Sequence, residues 1–138
     1  MQHWKVASQK VLSCSNPDEM EQPPKGVVVM EKWLFMVQSN CADSKREQEF
    51  NDWYDNIHVP DLLKEDAFVA ASRYESLPSQ GNQGKFVAVF QLETDNIKQA
   101  MKIHEETENS LKSSDRVSDL LQVVSRVYYK PVLAELRK

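Results

Sequence analysis

The sequence predicts an α+β domain, a four-stranded antiparallel sheet with two helices on one face. Three observations predict it. Four short apolar segments, at about 31–38, 67–75, 85–92 and 122–129, have the length and the β-branched and aromatic content of strands. Two stretches, from about Ser44 to His58 and from about Asp95 to Leu111, carry apolar residues at helical spacing. Between the second and third strands stands Pro78-Ser-Gln-Gly81-Asn-Gln-Gly84, which has the chemistry of a hairpin connection.

Bulk properties narrow the function classes. A chain of 138 residues suits one domain with a modest core. The net charge of −4 argues against nucleic acid as a partner, since phosphate binding needs a basic stripe and the Lys and Arg are scattered among more numerous acids. No apolar run approaches the roughly 20 residues that span a bilayer, so no membrane partner is expected. The first residues lack the apolar core of a secretory signal, which makes a cytoplasmic location the expectation. Cys14 and Cys41 match neither a CxxC pair nor a disulfide framework and read as free thiols.

Taken in order, residues 1–29 form an N-terminal extension, largely irregular, rich in turn formers such as Ser15-Asn16-Pro17 and Pro23-Pro24. Met30 stands just before the first strand, at the position an alternative start would take. Residues 30–138 form the single domain. The first strand, about Glu31 to Gln38, is apolar on both faces and so is buried on both. Asp43 or Ser44 caps the first helix, and Ser44 to Glu47 fits a capping box. The second strand runs from about Ala67 to Glu75, the third from Lys85 to Leu92. Thr94 or Asp95 caps the second helix, whose inner stripe is Ile97, Met101, His104 and Leu111 with Ala100 alongside. Ser113 to Asp115 caps a short third helix reaching about Leu121. The fourth strand, Gln122 to Tyr129, ends before Pro131.

The order β-α-β-β-α-β with a central hairpin is the ferredoxin-like pattern. Strict alternation places Trp33, Phe35, Val37, Phe68, Ala70, Phe86, Ala88, Phe90, Val123 and Val127 toward the helices. It places Leu34, Met36, Val69, Ala71, Val87, Val89 and Val124 on the opposite face, with Gln38, Arg73, Gln91, Arg126 and Tyr128 among them. That second face is too apolar for open water. It predicts a ligand cavity, or a second copy of the sheet packed across a two-fold axis. One β-bulge would reverse every assignment beyond it.

The chemistry concentrates at residues 50–61, Phe-Asn-Asp-Trp-Tyr-Asp-Asn-Ile-His-Val-Pro-Asp. Phe50, Trp53, Tyr54 and Ile57 make one apolar stripe, with His58 at its edge. Pro60 stops the helix there, since it has no N–H and biases Val59 away from the α region. An imidazole is thereby held at a helix end beside two aromatic rings, with Asp55 and Asp61 near.

The motif Phe-x-x-Trp-Tyr-x-x-x-His-x-Pro-Asp, together with Ala-x-Arg-Tyr-Glu in the second strand, resembles the dimeric α+β barrel superfamily, and within it the EthD-like proteins. The resemblance spans about Met30 to Pro131. It implies a homodimer whose two sheets close a barrel, each subunit holding a pocket between sheet and helices. Related proteins include polyketide and aromatic cyclases, dehydratases, isomerases and quinol or haem-linked monooxygenases, many of them working without metal or organic cofactor. It also implies an acid/base role for a pocket histidine, for which His58 is the candidate.

The expectation is therefore a lyase- or isomerase-type enzyme that needs no cofactor and acts on a small aromatic or polyketide-like molecule. His58 is its acid/base, assisted by Tyr54 as a hydroxyl donor and by Asp61 as an orienting carboxylate. Arg73 and Arg126 hold an oxygen-rich end, and Trp53, His104 and Tyr128 complete the substrate wall. Each has a plain structural alternative. His58 or Asp61 caps a helix, Trp53 and His104 are core residues, and the arginines pair with acids. A monooxygenase of the same fold, or a non-enzymatic stress-response protein holding a hydrophobic ligand, are the rival classes. The three histidines are scattered, with no HxH or HExxH, so no metal site is expected.

Overall fold

The computed structural model describes residues 28–78, 84–133 and 135–138. Most of the expected N-terminal extension, with Cys14 and His3, lies outside the described residues, as do 79–83 of the expected hairpin loop. Strand β1 (Glu31–Cys41) leads. Asp43 then accepts a hydrogen bond from the Lys45 N–H (3.0 Å) and opens a 3₁₀ turn, Ser44–Arg46. The capping box expected at Ser44 and Glu47 is not used. Glu47 instead takes the ammonium of Lys85 (2.8 Å).

Helix α1 (Glu47–Trp53) does not stop at Pro60 as expected. It widens into a π-turn, Tyr54–His58, and continues as α2 (Val59–Leu62). Within the turn the Val59 N–H reaches back five residues to the Tyr54 carbonyl. Pro60 offers no N–H and its ring crowds the carbonyl four residues back. One extra residue in the turn relieves both. The turn also changes which side chains face inward. Phe50, Tyr54 and His58 are buried and Trp53 is half-buried, whereas Ile57, expected in the stripe, is exposed.

Strands β2 (Phe68–Glu75) and β3 (Phe86–Thr94) follow, then helix α3 (Ile97–Ser113), capped by Asn96 accepting from the Gln99 N–H (3.1 Å). Ala100 and His104 form its buried stripe. Met101, expected there, is exposed. The short third helix expected after Ser113 is absent. Asp115 adopts φ 61°, the Arg116 N–H bonds to the Leu111 carbonyl, and the Asp115 N–H bonds to that of Lys112. This is a Schellman stop: it satisfies the last helix carbonyls and turns the chain sharply. Strand β4 (Leu121–Tyr129) completes the domain.

The elements thus follow the expected order, and all strand pairs are antiparallel in the sheet order β2-β3-β1-β4. Two bulges decide its chemistry. In β2, Phe68 pairs with Leu92 and Ala70 with Gln91, leaving Val69 extra. In β4, Val123 pairs with Ser39 and Ser125 with Gln38, leaving Val124 extra. Each bulge reverses the alternation beyond it. Ala71, Arg73, Arg126 and Tyr128, expected on the far face, therefore share the helix side. Ala71-Phe90-Phe35-Tyr128 and Arg73-Ala88-Val37-Arg126 form two cross-strand rows there. Ala70 and Val127, expected toward the helices, lie on the far side.

The core is the layer between this face and the helices. Phe35, Phe50, Tyr54, Leu62, Phe90 and Leu92 are its most buried members, each contributing on the order of 2 kcal/mol by leaving water. The far face carries Leu34, Met36, Val87, Val89, Val127, Tyr74 and Tyr129, of which Leu34, Val127, Tyr74 and Tyr129 are exposed. No helix among the described residues is long and apolar enough to cross a membrane.

Candidate active site

The helix layer brings six of the eight predicted site residues into one neighbourhood. The His58 ring stacks on Trp53 (centroids 4.7 Å apart, 21° between planes) and meets Tyr54 edge-on (5.1 Å, 84°). The indole is fixed by its N–H donating to the Arg116 carbonyl (3.0 Å), a carbonyl presented by the stop after α3. His58 is 5% exposed, and its Nδ1 is buried with no hydrogen-bond partner among the described residues. It caps no helix end. Burial pushes its pKa down to about 4, against the opposing pull of Glu108 first and Asp61 second, so the ring is neutral at pH 7. Burial likewise raises Tyr54 to about 12, keeping its hydroxyl protonated.

Asp61 does not orient the imidazole. Arg116 holds it by two hydrogen bonds, Nε to Oδ2 (2.7 Å) and Nη2 to Oδ1 (3.1 Å), and that pairing keeps the carboxylate below its usual range. Arg73 is likewise committed. It donates to Asp55 (2.8 Å) and Asn51 (2.9 Å) and lies 4.1 Å from the centre of the Tyr54 ring, tying α1 to β2. Neither residue is placed to grip a substrate.

His104 is the opposite of His58. Its Nδ1 lies 2.8 Å from Glu65 Oε2, and its Nε2 lies 3.2 Å from Glu108 Oε2, an ion-pair distance though not an aligned hydrogen bond. Burial pulls its pKa down, but the two carboxylates outweigh it and raise it to about 9. The Phe35 and Phe68 rings enclose it, edge-on at 4.9 Å and stacked at 5.3 Å. Glu108 also faces Arg126, with 3.6 Å between Oε2 and Nε. Burial raises the Glu108 pKa, but His104 more than offsets this and the carboxylate stays ionised. Tyr128 stacks on Phe35 (4.2 Å, 21°) and is held protonated by burial.

Glu65, Glu108 and Arg116 were not among the predicted site residues. Glu108 had a signal, lying one turn after His104 on the same helix face. Glu65 and Arg116 lie in turns, where no periodicity marks them. A cleft of about 410 Å³ is lined by Asp61, Glu65, Ile103, Thr107, Leu111 and Arg116, and neither histidine lines it. A larger cleft of about 610 Å³, along the chain's end at Trp33, Tyr129 and Leu133, holds none of the predicted residues. Among the described residues no group of three or more His, Cys, Asp or Glu is placed to hold a metal ion. His104 does not fit an axial haem ligand, since both its ring nitrogens face carboxylates.

The structure resembles that of HapK from Hahella chejuensis, with a TM-score of 0.59 and 12% identity over 77% of this chain and 98% of that one. It also aligns with an EthD family protein from Bacillus halodurans, with a TM-score of 0.48 and 17% identity over 74% of this chain and 99% of that one. No family model matches the sequence, and no curated protein matches it. The four-stranded antiparallel sheet with its helices is the fold this chain shares with HapK. At these identities the likeness is one of fold.

Proposed function

We propose that this chain is a cofactor-independent acid/base enzyme, a cyclase, dehydratase or isomerase, acting on a small aromatic or polyketide-like carbonyl compound. The observation that carries the reading is His58: a buried neutral imidazole, stacked on one indole, with an Nδ1 that has no hydrogen-bond partner among the described residues. A buried ring nitrogen without a hydrogen bond costs free energy until a proton donor reaches it, and a helix built only for packing would use an apolar residue there. A base with so low a pKa removes a proton only from an acidic carbon, such as one between two carbonyls, which favours polyketide-like substrates. The aromatic surroundings suit a planar substrate, and Arg126 has the charge to steady an enolate oxygen.

The far face of the sheet supports a second element of the reading, a two-fold homodimer. Leu34, Val127, Tyr74 and Tyr129 form an apolar surface that a second copy would cover. The test uses the enol of benzoylacetone, an aromatic β-diketone, as probe. Wild-type protein accelerates its ketonisation, and His58→Ala lowers that acceleration 100-fold or more, with the oligomeric state checked by light scattering. An unchanged rate in a folded variant sinks the proposal.

A further inference from the structure

His58 is 5% exposed and lines none of the three clefts of about 300, 410 and 610 Å³. A base so placed meets a substrate only if a wall moves. Among the described residues two aromatic rings lie against the imidazole, Trp53 and Tyr54. Tyr54 is 1% exposed and has the Arg73 guanidinium 4.1 Å from its ring centre, so it is packed from behind. Trp53 is half-buried and is itself a wall of the 300 Å³ cleft. The indole thus borders both the imidazole and open space. The cleft suits a neutral flat ring. Ile57, left 38% exposed by the π-turn, lines it, and Val117 lines it from the loop after α3. Two of its charged members are already paired, Glu49 with Arg46 and Arg116 with Asp61, both at 2.7 Å, which leaves Asp115 at the exposed rim. Its volume is at the low end of small-molecule pockets, roughly 300–1,000 Å³.

The hold on the indole is slight, and the frame that holds it is firm. One hydrogen bond fixes the ring, from its N–H to the Arg116 carbonyl (3.0 Å). That carbonyl is pinned on two sides. The Arg116 N–H bonds to the Leu111 carbonyl (2.9 Å), and the guanidinium forks onto Asp61, three residues beyond His58. Rotating the Trp53 side chain therefore breaks one hydrogen bond and one ring stack and leaves the loop where it is.

Resting on the reading of His58 as base, we propose that Trp53 is the gate of the site and that the cleft it shares with Ile57 and Val117 is the dock for the substrate's aromatic ring. With the ring docked, the indole leaves the Arg116 carbonyl and swings off the imidazole, and the carbonyl-bearing end of the substrate reaches His58. Closed, the indole keeps water from the base. Trp53 transfers nothing; it is a positioning residue that controls access. The exposure of Ile57 then has a use, since an apolar side chain at the mouth of the gate gives an aromatic ring a surface to rest on.

Two measurements on the full chain test this, and neither needs turnover. The first is carbethoxylation of the histidine rings by diethyl pyrocarbonate, read ring by ring from peptide masses. His58 should react more slowly than free histidine in the wild type. Trp53→Phe keeps a ring but loses the N–H, and one net hydrogen bond corresponds to an open population about fivefold larger. His58 should then react about fivefold faster with His104 unchanged. An unchanged His58 rate overturns the gate, and so does an equal rise at both rings, which reports a loosened core. Should Trp53→Phe fail to fold by circular dichroism, Asp61→Asn, which frees the Arg116 side chain, is read in the same way. The second is binding of benzoylacetone by calorimetry. Ile57→Asp puts a charge in the dock at an exposed position and should weaken binding about tenfold or more. Equal affinity in this variant, or no binding by the wild type, overturns the dock. Failure of His58 as base shows differently: a protein that passes both tests yet does not speed ketonisation keeps its gate and loses its base.

Discussion

His58 and His104 lie on the same side of one sheet and are 5% and 3% exposed, yet they are held in opposite charge states at neutral pH. His58 has aromatic neighbours and, among the described residues, no hydrogen bond to Nδ1, so desolvation outweighs the pull of Glu108 and Asp61 and the ring is neutral. His104 meets a carboxylate at each nitrogen, so the same desolvation is outweighed and the ring is charged. Depth in the core therefore says nothing about a histidine's charge; its partners decide.

The sharpest way to break the contrast is to remove the deepest carboxylate. Glu65→Ala leaves a buried imidazolium with one carboxylate in place of two. Breaking a buried pair by deleting one partner typically costs about 3–5 kcal/mol. With Glu108 still in place, a loss of about 3 kcal/mol is expected in urea unfolding. His104 should then titrate well below its present value of about 9. A variant as stable as the wild type would show that the Glu65 contact contributes nothing net.

Acidity and alkalinity should separate the two rings without any mutation. Both titrate near 6.5 in the unfolded chain. Folded His58 does not take its proton until about pH 4, so from 6.5 down to 4 the unfolded chain holds more protons and stability falls as pH falls. Folded His104 keeps its proton to about 9, so its contribution is complete below 6.5 and is lost as pH rises to 9. Stability should peak near pH 6.5, and each flank should lose on the order of 3 kcal/mol. Denaturant midpoints across pH 4–9 measure this. A curve flat from 6.5 to 9 would refute the charged state of His104.

The contrast was only partly legible in the sequence. The order of elements, the helix-end motif and the positions of Phe35, Phe50, Tyr54 and Phe90 follow from periodicity, because burying an apolar face leaves a regular signature. Arg73, Arg126 and Tyr128 were placed on the wrong face, because a bulge at Val69 or Val124 adds one ordinary valine that no pattern distinguishes. Asp61 was paired with His58 on closeness in sequence, whereas its partner Arg116 lies 55 residues on and is aimed by the Schellman stop at Asp115. Glu65, in a turn, was missed altogether. What local periodicity records was readable; what depends on bulges, turns and distant partners was not.

The smallest expected effect tests how His58 came to be buried. Pro60 denies the helix one N–H, and the chain responds with the π-turn that buries His58 and exposes Ile57. Pro60→Ala supplies the N–H and removes the ring's clash, so the segment gains the option of an unbroken α-helix. Stability should change by no more than about 1 kcal/mol, since the gain in helix regularity is offset by moving Ile57 inward and His58 toward water. The informative readout is the ring. As His58 moves toward solvent its midpoint should rise from about 4 toward the ordinary 6.5, with His104 unchanged. If His58 stays near 4 in this variant, the packing of Trp53 and Tyr54 holds the π-turn in place and Pro60 is only compatible with it.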